Sequence, residues 1–110
     1  MNEKREYEEV KRFLENLSCI RRRPQMYFGQ NYGYKQLAPF LFGYMLGSNS
    51  TGQNHESLTC RIHNNVNYKV LMAYAQAEKE ESEGRNAFED YFKFLKEEIE
   101  TNFPELNDLV

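Results

Sequence analysis

The sequence predicts a mainly α-helical fold, one domain over residues 1–110 built from four to five helices. Three observations point there. Apolar residues recur at three- and four-residue steps in three separate stretches. Alternation of the kind strands show is confined to one stretch, at about 57–74. A chain of 110 residues, 40% hydrophobic and 15% aromatic, holds enough apolar matter for one modest core.

The first helix is expected over residues 3–18. Tyr7, Val10, Leu14 and Leu17 share a face with Phe13 beside them, and charged residues fill the rest. The helix must stop before Pro24, because a residue preceding proline avoids helical backbone angles. Asn31 to Gly33 reads as a turn. A second, more apolar helix is expected over 35–47, with Leu37, Phe40, Leu41, Tyr44 and Met45 on one face. Pro39 suits a first turn, and the stretch "SNSTGQN" ends the segment in a loop.

Residues 57–77 support two readings. Leu58, Cys60 and Ile62, then Val66, Tyr68, Val70, Met72 and Tyr74, alternate as strands of a hairpin would, giving an α+β alternative. Val66, Val70, Ala73 and Ala77 instead fit helical steps, and "AYAQAEKEE" is strong helix-forming sequence. The helix is the favoured reading, from about Asn67 to Glu81, with Gly84 as its break. The last helix is expected to begin at Asn86 as cap with Glu89 three residues on, as in a capping box. Phe88, Tyr91, Phe92, Leu95 and Ile99 form its buried stripe, and Pro104 ends it.

Between the first two helices stands "IRRRPQMYFGQ". Adjacent Arg21, Arg22 and Arg23 cannot all point one way, so at least one is expected to turn inward or stack on an aromatic ring. Pro24 fixes a backbone angle and Gly29 permits a sharp turn. Met26, Tyr27 and Phe28 are bulky and expected under cover. The segment therefore reads as a braced corner resting on Arg21, Arg23, Pro24, Met26, Tyr27 and Gly29. Tyr27, Tyr32 and Tyr34 lie near the arginines, a composition also favoured at interfaces.

Charge is unevenly spread. Residues 1–77 carry ten Lys/Arg against six Asp/Glu, a net +4; residues 78–110 carry four against eleven, a net −7. The acidic end repels nucleic acid and suits a basic protein partner. Its candidate contacts are Glu78, Glu80, Glu81, Glu83, Glu89, Asp90 and Glu97. No apolar run approaches the roughly 20 residues of a membrane span, and the charged start "MNEKREYEEV" has no secretory h-region, so a cytoplasmic location is expected. Cys19 and Cys60 fit that compartment as thiols.

"IRRRPQMYFG" resembles the Arg-x-Arg-Pro-Gly-Met-Tyr-Ile-Gly segment near the start of type II topoisomerase ATPase subunits. That fold further requires an acidic-Asn helix for magnesium and an Asp-x-Gly-x-Gly turn. The helix following the motif here, "LAPFLFGYMLGSN", has no acidic residue, and the Asp-x-Gly-x-Gly turn is missing. The chain is therefore not read as a nucleotide-binding enzyme. Over more of its length it resembles bacterial immunity proteins of toxin systems of the contact-dependent growth inhibition type. The matching pieces are "CIRRRPQMYFG", "LAPFLFGYMLG" and "NAFEDYFKFLKEEIE", with Gln25 where a glycine is usual. The resemblance implies a helical cytoplasmic antitoxin that binds and blocks a cognate toxin domain.

Other chemistry has little support in the residues. Cys60-x-x-His63 offers two zinc ligands where a structural site takes four. No second base or orienting group marks Cys60 as a nucleophile. Cys60 is expected as a small buried hydrophobe, with His55 and His63 at the surface. No metal, cofactor or catalytic residue is expected. The expectation is an immunity protein without a reaction of its own, which covers the active site of a toxin, plausibly a basic nuclease. The alternative is a small regulatory or nucleic-acid-associated module working through Arg21 to Arg23 and the neighbouring tyrosines.

Overall fold

The structure is a computed structural model that describes residues 3–48 and 57–110. Among those residues it holds six α-helices and one 3-10 helix, with no strand. The mainly helical class holds, and the hairpin alternative at 57–74 falls. Four long helices carry the fold: α1 (Glu3–Arg22), α3 (Tyr34–Ser48), α4 (Leu58–Ala73) and α6 (Arg85–Asn102). Two five-residue helices, α2 (Pro24–Phe28) and α5 (Lys79–Glu83), join them, and a 3-10 helix over Pro104–Leu109 closes the chain.

α1 continues a turn beyond the expected Ser18 because nothing in "CIRR" opposes a helix. Arg21 and Arg22 also face the negative end of its dipole. Arg23, before Pro24, leaves the helical region at φ −138°, ψ 60°. Val10, Phe13, Leu14, Leu17 and Ile20 are buried. In α3, Leu37, Leu41 and Met45 are buried and Tyr44 is half-buried. Phe40 departs from the expected face and remains 41% exposed. Pro39 lies inside this helix rather than in its first turn. Of "SNSTGQN", only Ser48, the last residue of α3, is among the described residues.

α4 corrects the expected Asn67–Glu81 helix at both ends. It starts nine residues earlier because Ser57 caps it, its Oγ accepting from the Cys60 N–H at 3.2 Å. Ile62, Val66 and Val70 then lie one turn apart and are buried, so the apparent alternation was half of a helical stripe. It ends at Ala73, where Tyr74 turns to donate to Asp90 Oδ2 at 2.7 Å. Ala75, Gln76 and Ala77 are exposed and give the helix no apolar face to continue on.

α6 buries Ala87 and the expected Phe88, Tyr91, Phe92, Leu95 and Ile99. Its start differs: Gly84 is the N-cap without a side-chain bond, and Asn86 is an exposed residue within the helix. The Asn86–Glu89 capping box does not form, since the tight junction at Gly84 fixes the entry two residues too early for it. α6 runs through the centre, with α3, α4, α5 and the 3-10 helix packed around it. α1 closes the core against α4 and the 3-10 helix.

Candidate functional site

Three regions of the surface carry unusual chemistry. The first is the arginine corner. Pro24 is buried, and Gly29 takes φ 85°, ψ 179°, a region open essentially to glycine alone. The Gly29 N–H donates to the Gln25 carbonyl at 2.9 Å and closes α2. Arg21 stacks its guanidinium 5.7 Å from the centre of the Phe92 ring, as the inward-or-stacked expectation requires. Arg23 contacts Met26 Sδ at 3.9 Å. Cover for the bulky residues is only partial. Phe28 packs on the core and meets Phe40 edge-on at 5.6 Å, while Met26 is 73% and Tyr27 49% exposed. Of the six corner residues only Pro24 is buried, and Met26 and Tyr27 in particular lack the expected cover: a five-residue helix that seats Pro24 has no face left to seat them.

A residue that ties the chain just after this corner to α6 is one that sequence reasoning missed. Arg85, the first residue of α6, donates to the carbonyls of Tyr32 (3.2 Å) and Gln30 (3.1 Å). Its guanidinium lies 3.6 Å from the centre of the Tyr32 ring. Tyr34, grouped by sequence with the tyrosines near the arginines and left outside the expected 35–47 helix, opens α3 and is buried, its N–H donating to the Gly84 carbonyl at 3.0 Å.

The second region is acidic. α5 has no buried residue, so Glu78 at its cap, with Glu80 and Glu81, faces water. Glu83 pairs with Lys79 at 4.0 Å. Glu89 is exposed on the adjoining turns of α6, and Asp90 accepts the Tyr74 hydroxyl. Burial, the bond to Asp90 and the negative charge of Asp90 and Glu81 push the Tyr74 hydroxyl up to about 12. These six carboxylates thus lie on α5, its cap and the first two turns of α6, which pack against each other. Glu97 does not join them. It lies eight residues past Glu89, roughly 12 Å along the helix axis, with Lys93 and Lys96 between. Its neighbour Glu98 is occupied by Lys69 at 3.7 Å and by Asn65 and Asn102.

The third region was not foreseen. α3 and α4 both rest on α6 and meet each other through Tyr34 with Asn67 and Met45 with Cys60, and between them lies a cleft of about 540 Å³ open to solvent. Ala38, Pro39, Phe42, Met45 and Leu46 line it from α3. Cys60, His63, Asn64 and Asn67 line it from α4. His63 is buried, against the surface position expected, because its helical register with Thr59, Val66 and Val70 turns it inward. Its Nδ1 meets the fully buried Tyr91 hydroxyl at 2.8 Å. Tyr34 donates its hydroxyl to Asn67 Oδ1, and the Tyr34 and Tyr91 rings lie 5.9 Å apart. Burial lowers the His63 pKa and raises those of Tyr34 and Tyr91, so all three are neutral at pH 7. Cys60 is buried as expected, with Met45 Sδ 3.4 Å from its thiol. His55 lies outside the described residues.

The His63 arrangement makes stability sensitive to mild acid. A histidine whose folded pKa is below its unfolded value of 6.5 takes up its proton more readily when unfolded. Its contribution is therefore complete above 6.5 and is lost as pH falls from there toward the folded value. The melting temperature should drop between pH 7.5 and 5.5, and His63→Gln should flatten that dependence. An equal drop in the variant would assign it to other groups.

Among the described residues, no three His, Cys, Asp or Glu side chains group to hold a metal, and no helix is long and apolar enough to cross a membrane. Comparison with known protein families, with curated proteins and with solved structures finds no match.

Proposed function

We propose that this chain is an immunity protein, a non-enzymatic cytoplasmic antitoxin that binds a basic toxin domain of the nuclease kind and covers its active site. The observation that carries the reading is the acidic ridge of α5 and the start of α6. Over residues 78–90 six carboxylates face only Lys79 and Arg85. Arg85 is committed to the 30–32 backbone and Lys79 to Glu83. A short helix that buries nothing adds little to the core, so its ordered row of charges is better explained by a partner. Such a surface speeds association with a cationic protein and makes the rate fall with salt. In this reading the arginine corner is structural, set by Pro24, Gly29 and Arg21.

The test is association with a toxin domain, to be sought in the gene adjoining this chain's own, measured at two ionic strengths. Glu78, Glu80, Glu81 and Glu89 are the residues to reverse to lysine, because Asp90 is tied to Tyr74 and Glu83 to Lys79. The expected result is an association rate lower by about tenfold or more and a weaker salt dependence. Protection of cells expressing the toxin should fall in step. Unchanged rate and protection in the quadruple variant would end the acidic-ridge mechanism.

A further inference from the structure

We propose that the cleft between α3 and α4 binds an uncharged, largely apolar molecule that offers a hydrogen-bond acceptor, such as a ketone or amide carbonyl, to α4. The cleft is independent of the acidic ridge. Its volume of about 540 Å³ suits a small organic ligand. No lining residue is Asp, Glu, Lys or Arg, so a charged ligand would lose its hydration without a counter-charge. One wall is hydrocarbon, with Phe42 and Leu46 still 65% and 60% exposed at its rim.

The polar wall presents donors. The Tyr91 hydroxyl is fully buried and its partner is His63 Nδ1, so it donates there, and the neutral ring carries its hydrogen on Nε2. Asn67 Oδ1 is filled by the Tyr34 hydroxyl, which leaves both N–H bonds of Nδ2. Neither His63 Nε2 nor Asn67 Nδ2 bonds to a described residue. The two residues stand four apart on α4, on one helical face, and both line the cleft. Tyr91 and Tyr34 thus fix two side chains so that donors remain for whatever enters, and a carbonyl oxygen is the group that answers them.

The probe is 4-phenylbutan-2-one, an aromatic body with one carbonyl, titrated into the full chain by NMR. Its cationic counterpart 4-phenylbutan-2-amine keeps the skeleton but has no acceptor at neutral pH. The ketone should saturate below about 10 mM, shifting the Asn67 side-chain amide and backbone amides at Ala38, Phe42 and Asn64. The amine should not. Asn67→Asp keeps the acceptor for Tyr34 and removes the donors, and should weaken ketone binding by about tenfold or more. Ala38→Phe fills the cleft without touching the donors and should abolish saturation. Ketone and amine binding alike, no saturation of the ketone, or either variant binding like the parent would overturn the proposal.

Discussion

Tyr91→Ala should cost about 3–5 kcal/mol, the range for removing a large aromatic from a packed core. Against a typical total of roughly 5–15 kcal/mol for a domain, the variant sits at the edge of folding. Tyr91 is fully buried and among the largest of the buried side chains. Its ring meets Tyr34, His63 and Phe92 at 5.9, 5.7 and 5.7 Å, so one truncation strips contacts from α3, α4 and α6 together. Tyr91→Phe separates packing from polarity. It keeps the ring and leaves the buried His63 Nδ1 without its partner, which costs about 1–3 kcal/mol. Urea denaturation of the three proteins checks the order. Phenylalanine as damaging as alanine would mean that the His63 bond, rather than the packing, holds this junction.

Much of the core was legible because α1 and α6 announce their inner faces. In α6 the steps from Phe88 through Tyr91, Phe92 and Leu95 to Ile99 fit one stripe and no strand. The end of α1 was readable from Pro24, whose effect is local. α4 was harder because Leu58, Cys60 and Ile62 alternate over a span too short to separate the two periods. What decides it is Ser57 as a cap and the pull of Asp90 on Tyr74, sixteen residues away in sequence. Propensity extended the helix into "AYAQAEKEE"; a tertiary bond ended it earlier. His63 was recoverable once the helical register was chosen, because it shares the face of Thr59, Val66 and Val70.

The candidate surfaces divide the same way. The excess of carboxylates after residue 77 is visible in composition, but whether they share a surface depends on helix phase. That phase keeps Glu89 beside α5 and carries Glu97 beyond two lysines. Met26 and Tyr27 look like core residues until Pro24 takes the inward position of α2. The cleft has no local signature, because it is made by the angle at which α3 and α4 lean on α6. Nor does Arg85 announce itself in a chain with fourteen basic residues, since its partners are carbonyls of the 30–32 backbone.

Gly33→Ala should cost about 2–3 kcal/mol, at the upper end of what an extra methyl does in a tight site, lowering the melting temperature by roughly 8–20 °C. A Cβ at Gly33 would lie 2.8 Å from the Glu83 carbonyl oxygen and 2.9 Å from the Gly84 carbonyl carbon. Both are backbone, and Gly84 is the entry to α6, held by the buried Ala87 and Phe88 just beyond it. The methyl can be seated only by parting the starts of α3 and α6, which strains the Tyr34 N–H bond to the Gly84 carbonyl and the grip of Arg85 on Tyr32 and Gln30. Gly84→Ala has the shorter nominal contact, 2.5 Å to the Glu80 carbonyl oxygen, but the opposing element is different. α5 buries no side chain, so moving that one short helix should cost less than parting two core helices, and this variant should lose less, about 1–2 kcal/mol. The order of the two melting temperatures is the measurement. A more damaging Gly84→Ala would mean that α5 is held as firmly as the core helices, and its acidic residues would then have a structural role as well as an exposed one.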